Sequence, residues 1–231
     1  MGPTKSQAAA DVLIFIVTAL VFYGIEEFLR SVNLFPFPAA LDGALSLIAS
    51  FLVVIILMKW RDQGWRDFGL RKPNRWWTIP GWAAAILIVN IIAQNTLVPA
   101  MALWLQLTPP DFSRYDIVYQ NLPMLLLVMS GAMITGGFME EYIYRGFMID
   151  RLSRLFGGGR RGLVLAAILN GLPFGIIHFE WGIGGILLTT VMGSVLGLMY
   201  LAAKRNLWPL IVAHASLDAL LMIMLYYGVT P

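Results

Sequence analysis

Apolar stretches of roughly 17–25 residues, the length that crosses a hydrocarbon core, recur along the chain at 11–29, 41–59, 79–105, 122–156, 162–178, 185–203 and 207–227. The pattern predicts an all-α, polytopic integral membrane bundle of about seven, or eight, transmembrane helices. The connections between the runs are short. The longest, 60–78 (WRDQGWRDFGLRKPNRWWT), is basic and tryptophan-rich, as expected of a segment lying at the membrane interface. No connection is long enough for an extramembrane domain, and no fixed-period repeat or low-complexity tract interrupts the series. Residues 1–231 therefore read as a single membrane domain. Lys5 precedes the first run as in a secretory leader, but the small residues Ala8–Ala10 lie before the apolar stretch and not after it, so the run reads as a retained helix. The start MGPTKS fits an N-myristoylation pattern only formally, with Pro3 out of place.

Composition agrees with a lipid solvent: 59% of residues are hydrophobic, 13% are charged and the mean hydropathy is +0.76. Lys and Arg fall unevenly between the connections. With the N-terminus inside, thirteen lie on the cytoplasmic side (Lys5, six from Lys59 to Arg75, four from Arg151 to Arg161, Lys204 and Arg205) and only Arg30 and Arg114 lie outside. The net charge of +3 then records orientation and contact with anionic headgroups, and gives no reason to expect nucleic acid. The expected location is the plasma (cytoplasmic) membrane. The chain has no cysteine, which excludes disulfides, thiolate nucleophiles and cysteine–zinc sites together.

Against this apolar background a few ionisable residues stand out, since each charged group costs roughly 2.5–3.5 kcal/mol at a bilayer centre. The only two histidines, His178 and His214, lie inside apolar runs, and a third run holds Glu140, Glu141 and Arg145. In GGFMEEYIYRGF, Glu141 and Arg145 are i and i+4 on one helix face and can pair. Glu140 points about 100° away from Glu141 in an ideal helix, which leaves one carboxylate free. In GLPFGIIHFEWG, Phe174 precedes His178 by one turn. Glu140 lies 17 residues before Gly157, and His178 lies 16 after Gly162. A straight antiparallel hairpin would set both roughly 25 Å from the turn, level with each other. In LWPLIVAHASLDALL, His214 and Asp218 again share a face. Counting helical rise leaves His214 roughly 10–15 Å short of His178, a gap that tilt or displaced helix ends would have to close.

These three segments resemble the motifs of the CAAX-protease and bacteriocin-processing (CPBP, or ABI) family of intramembrane proteases. EEYIYR fits EExxxR, FGIIH fits FxxxH and HASLD fits HxxxN/D, in the family's order and over roughly 122–220, which marks that stretch as the catalytic core; FGL at 68–70 is similar to a less specific upstream segment. The resemblance implies hydrolysis of a peptide bond in a membrane-associated peptide or prenylated CAAX-type protein, with no obligatory cofactor. It implies Glu140 as the base that activates water, His178 as its partner in holding that water, and His214 with Asp218 as the groups that steady the oxyanion. Glu141 and Arg145 look like the supporting ion pair. Carboxylates in apolar surroundings are stronger bases than in water, and an oxyanion donor in a dry cavity supplies several kcal/mol. Position 218 is Asp where many members have Asn, and an ionised Asp cannot donate. It would then orient His214 and leave donation to the imidazole.

Three other readings compete. Two histidines and several carboxylates could form a two-His, one-carboxylate zinc site, although HExxH is absent. A serine mechanism would call on Ser194 or Ser216, without the GxSG pattern. A non-catalytic scaffold, immunity or chaperone protein, or a small transporter, would use the same polar residues only to join helices; Glu140, with no i±4 partner, argues against that use. Elsewhere the simplest reading is structural. Glu26, Glu27 and Arg30 close the first span at the outer interface, and Asn90 with Gln94 reads as interhelical hydrogen bonding. Asn170, eight residues before His178, is a candidate cavity residue. Tyr142, Tyr144, Phe174 and the methionines at 124, 129 and 133 read as packing, and Gly131, Gly136 and Gly137 as close helix approach or bending beside Glu140.

Overall fold

The computed structural model describes residues 2–35 and 37–229. Among the described residues the secondary structure is helical, with no strand. The helices are α1 (Lys5–Ser31), α2 (Ala44–Trp60), α3 (Thr78–Leu105), α4 (Leu122–Leu155), α5 (Gly159–Leu169), α6 (Gly171–Ile176), α7 (Gly182–Ala202) and α8 (Trp208–Tyr226). Short 3₁₀ turns at Ala39–Leu41, Ser113–Val118 and Phe179–Trp181 lead into or join them. Six helices are long and apolar enough to cross a membrane: α1, α2, α3, α4, α7 and α8. The protein is an integral membrane protein, built as an all-α bundle.

The expected span at 162–178 is not a straight rod. It breaks at Asn170 into α5 and α6, of 11 and 6 residues, neither long enough to cross alone. The cause is local. Pro173 has no N–H to give the carbonyl four residues back, and it disfavours helical geometry at Leu172, next to the flexible Gly171. Asn170 is fully buried and donates from Nδ2 to the Tyr144 carbonyl at 2.9 Å, so it braces the break against α4 and does not line a cavity.

α4 is the central element. Between Met133 and Met148 it is wound in π turns, with i→i+5 hydrogen bonding, and every residue from Glu140 to Arg151 is buried. It packs against α1, α2 and α8. α6 lies on α7 through small residues, as is usual where helices associate without a hydrophobic driving force. A Cβ on Gly171 would strike Ser194 and the Thr190 backbone, and one on Gly193 would sit 2.9 Å from the Phe174 ring. Asn90, expected to bridge helices, instead donates to the Ile86 carbonyl of its own helix at 3.1 Å.

Charged residues collect at two opposite ends of the bundle. At the first, Asp11 of α1 is wholly buried and accepts from Arg61 Nη2 at 2.7 Å and Arg151 Nε at 2.9 Å. Arg151 also reaches Asp150 at 2.8 Å and Gln63 at 2.7 Å, and Arg154 contacts Asp150 and the Pro3 carbonyl. Arg71 donates to the carbonyls of Lys204 and Arg205. At the second end Arg30 pairs with Asp42, and Arg114 pairs with both Asp42 and Glu180. Glu26 was expected to close α1 at an exposed interface. It is fully buried, and its carboxylate accepts from the Gly43 N–H at 2.8 Å, at the positive N-terminal end of α2.

Removing Asp11 leaves two guanidinium groups without their shared carboxylate. Breaking such a buried pair costs about 3–5 kcal/mol, so the expected result for Asp11→Ala is a markedly lower unfolding temperature in detergent. An unchanged transition would show that the network adds nothing to stability.

Candidate active site

All four residues assigned to catalysis from the motifs line one cavity of about 530 Å³: Glu140 from α4, His178 from the end of α6, and His214 with Asp218 from α8. The depth mismatch expected between His178 and His214 is absent. Both imidazoles flank the Phe174 ring, with centroid separations of 5.0 Å for His178 and 6.0 Å for His214. The expected gap assumed one straight helix from Gly162 to His178, and the break at Asn170 removes that assumption.

Glu141 is the hub. Its carboxylate is fully buried, with Oε1 2.9 Å from Arg145 Nη1 and 2.7 Å from His214 Nδ1. The ion pair with Arg145 follows from the i,i+4 spacing. The contact with His214 runs between α4 and α8, and no sequence spacing announces it. Arg145, also fully buried, lies with its guanidinium 4.3 Å from the centre of the Phe174 ring and reaches the Gly193 carbonyl at 3.4 Å. One charge pair thereby touches α4, α6, α7 and α8.

The geometry fixes the roles of several nitrogens. His178 Nδ1 is 2.7 Å from the Phe174 carbonyl, which can only accept, so Nδ1 carries the proton and Nε2 keeps its lone pair. Phe174 and Trp181 hold this ring from two sides, the Trp181 centroid 4.9 Å away. Glu141 Oε1 accepts from Arg145 and accepts here as well, so His214 Nδ1 also carries a proton. His214 Nε2 faces Asp218 Oδ1 at 3.6 Å, beyond hydrogen-bond distance. The short contact that orients His214 is thus Glu141's, where the sequence pointed to Asp218.

Glu140 differs from its neighbour. It has no hydrogen-bond or ion-pair partner among the described residues, and its side chain borders the cavity. Tyr144 lines the same wall and packs edge-on against Phe15 and Phe174. The glycines next to these acids set the separation of α4 and α8. A Cβ on Gly136 would sit 2.5 Å from Asp218 Oδ2, and one on Gly137 would sit 2.8 Å from Ala215 Cβ and 3.2 Å from its backbone. Ser194 and Ser216, the serine candidates, both donate to backbone carbonyls, at 2.8 and 2.7 Å. Among the described residues no three His, Asp or Glu side chains converge as a metal site would require.

What these elements define is a membrane helix bundle with a carboxylate–histidine cluster buried in its core. Residues 122–220 match the family model described as Rce1-like, type II CAAX prenyl endopeptidase Rce1-like. The match spans α4 to α8 and contains all three motifs. No curated protein and no solved structure matches the chain.

The two glycines separate packing from chemistry. Gly137→Ala drives a methyl into the α8 backbone and should lower stability by about 1–3 kcal/mol, read as a lower unfolding temperature. Gly136→Ala meets only the movable Asp218 carboxylate, so the fold should persist with Asp218 displaced. Equal destabilisation by both would contradict this geometry.

Proposed function

We infer that the protein is an intramembrane endopeptidase that hydrolyses a peptide bond of a membrane-associated peptide or protein using a water activated by Glu140. The observation that carries this reading is the contrast between two adjacent carboxylates. Glu141 is committed to Arg145 and His214, while Glu140 faces the cavity without a partner. A buried carboxylate left unpaired is expensive, and a hydrolytic base is a use that explains it.

In this mechanism a water donates one hydrogen to Glu140 and the other to the Nε2 lone pair of His178, which leaves its oxygen free to attack. Glu140 takes the proton as the oxygen bonds to the scissile carbonyl carbon. The resulting oxyanion is met by Nε2–H of His214. That donation requires the imidazolium form, since Nδ1 already carries a proton toward Glu141, and the two flanking carboxylates suit a cation there. Glu140 then passes its proton to the departing amine as the C–N bond breaks, giving a carboxylic acid that keeps the second hydrogen of the water, and an amine. Asp218 sits beside Nε2 and balances the imidazolium charge. No metal ion is assigned a part. The competing reading, a zinc protease, would enlist Nε2 of His178 and of His214 with a carboxylate, and among the described residues no three such side chains converge.

The test is cleavage of quenched membrane-anchored peptides by the detergent-purified protein. Glu140→Gln should lose at least about 100-fold in rate, the lower end of what a general base contributes, with folding retained, and His178→Ala should be similarly inactive. Asp218→Asn should keep substantial activity, because His214 remains held by Glu141. Full activity of Glu140→Gln would remove the base assignment, and loss of activity to a strong chelator would favour the zinc reading.

A further inference from the structure

The cavity is open at one end of the bundle and sealed at the other. Its lining runs along α1 from Phe15 to Tyr23, along α2 from Ala44 to Ser50, along α4 from Val128 to Tyr144 and along α8 from His214 to Met222. On α2 this is the half remote from the Asp11–Arg151 network, and on α1, α4 and α8 the lining starts near mid-helix and extends away from that network. The mouth is framed by Ala40–Gly43, Arg114 and Glu180–Trp181, at the end where Arg114 pairs with Asp42 and Glu180.

On the other side of the cluster the FGL segment acts as a plug. Phe68 is fully buried and packs on Tyr142 and Phe147. The segment is pinned by the Leu207 N–H on the Gly69 carbonyl at 3.0 Å and by the Tyr200 hydroxyl on the Phe68 carbonyl at 3.2 Å. It lies so close to α4 that a Cβ on Gly146 would sit 2.7 Å from the Phe68 carbonyl oxygen.

The thirteen Lys and Arg of the connections belong to the sealed end, where residues 3, 11, 61, 63, 71, 150, 151, 154, 204 and 205 contact one another, while Arg30 and Arg114 stand at the mouth. Cationic connections are retained on the cytoplasmic side of a membrane. We propose that the cavity opens to the non-cytoplasmic face, so that the peptide it receives is a segment presented at or within the outer leaflet. A tail held by lipid in the cytoplasmic leaflet would meet the FGL plug and the Asp11 network instead. The sidedness is independent of the reaction, and only the identification of the occupant as a peptide rests on the proteolytic reading above.

The absence of cysteine from the sequence gives a blank background for the test. Thr135 and Ala132 line the cavity wall outside the proposed catalytic cluster, and Arg160 is exposed near the start of α5 at the sealed end. Full-length Thr135→Cys, Ala132→Cys and Arg160→Cys would each be treated in intact cells with a small membrane-impermeant thiosulfonate, then again after permeabilisation. The expected result is labelling of Cys at 135 or 132 in intact cells, and at least about ten-fold weaker labelling at 160 until the membrane is opened. Labelling at 160 in intact cells, or at 135 and 132 only after permeabilisation, would overturn the proposal. Because labelling needs no turnover, an inactive protein with the expected pattern would refute the protease and leave the sidedness standing.

Discussion

Two opposite charges with no solvent contact, Glu141 and Arg145, dictate much of what surrounds them. Taking both out of water is repaid only when geometry is good and the remaining donors and acceptors find partners. Their neighbours supply part of this, with His214 of α8 at Glu141, the Phe174 ring of α6 beneath the guanidinium and the Gly193 carbonyl of α7 at its edge, while Glu141 Oε2 and Arg145 Nε find no hydrogen-bond partner among the described residues. The pair therefore does more than neutralise itself. By gathering α6, α7 and α8 around α4 it sets the position of His214 and, through Phe174, of His178.

That gathering needs close backbones, which explains the glycines. Gly137 faces Ala215, Gly171 and Gly175 face Thr190 and Ser194, and Gly193 faces Phe174. Close approach of small residues is how membrane helices gain packing energy when lipid is as apolar as the side chains themselves. The π-wound segment of α4 carries Gly136, Gly137, both glutamates and Arg145. Glu140 leaves this arrangement unpaired and directed at the cavity, a position that packing alone would not select.

The sequence made the all-α membrane class, most helix limits and the membership of the polar cluster legible, because apolar run length and buried charge are strong signals. The Glu141–Arg145 pair was readable for the same reason, being local to one helix. What was not legible depended on relations between helices. The Glu141–His214 contact joins residues 73 positions apart, and the burial of Glu26 depends on where α2 begins. The break at Asn170 had a local sign in Gly171 and Pro173, which an apolar count overlooks. The role of FGL as a plug required knowing that it returns against Gly146 and Leu207.

The central claim is that two adjacent carboxylates hold opposite positions, Glu141 as the structural anchor and Glu140 as a group maintained at the expense of stability for its chemistry. The most direct measurement is the unfolding free energy of Glu140→Ala beside that of Glu141→Ala, in one detergent and by one probe. The account predicts that Glu140→Ala is as stable as the parent or more so, and that Glu141→Ala loses about 3–5 kcal/mol, because Arg145 is then buried without its partner. Equal losses in the two variants, or the larger loss at Glu140, would contradict it.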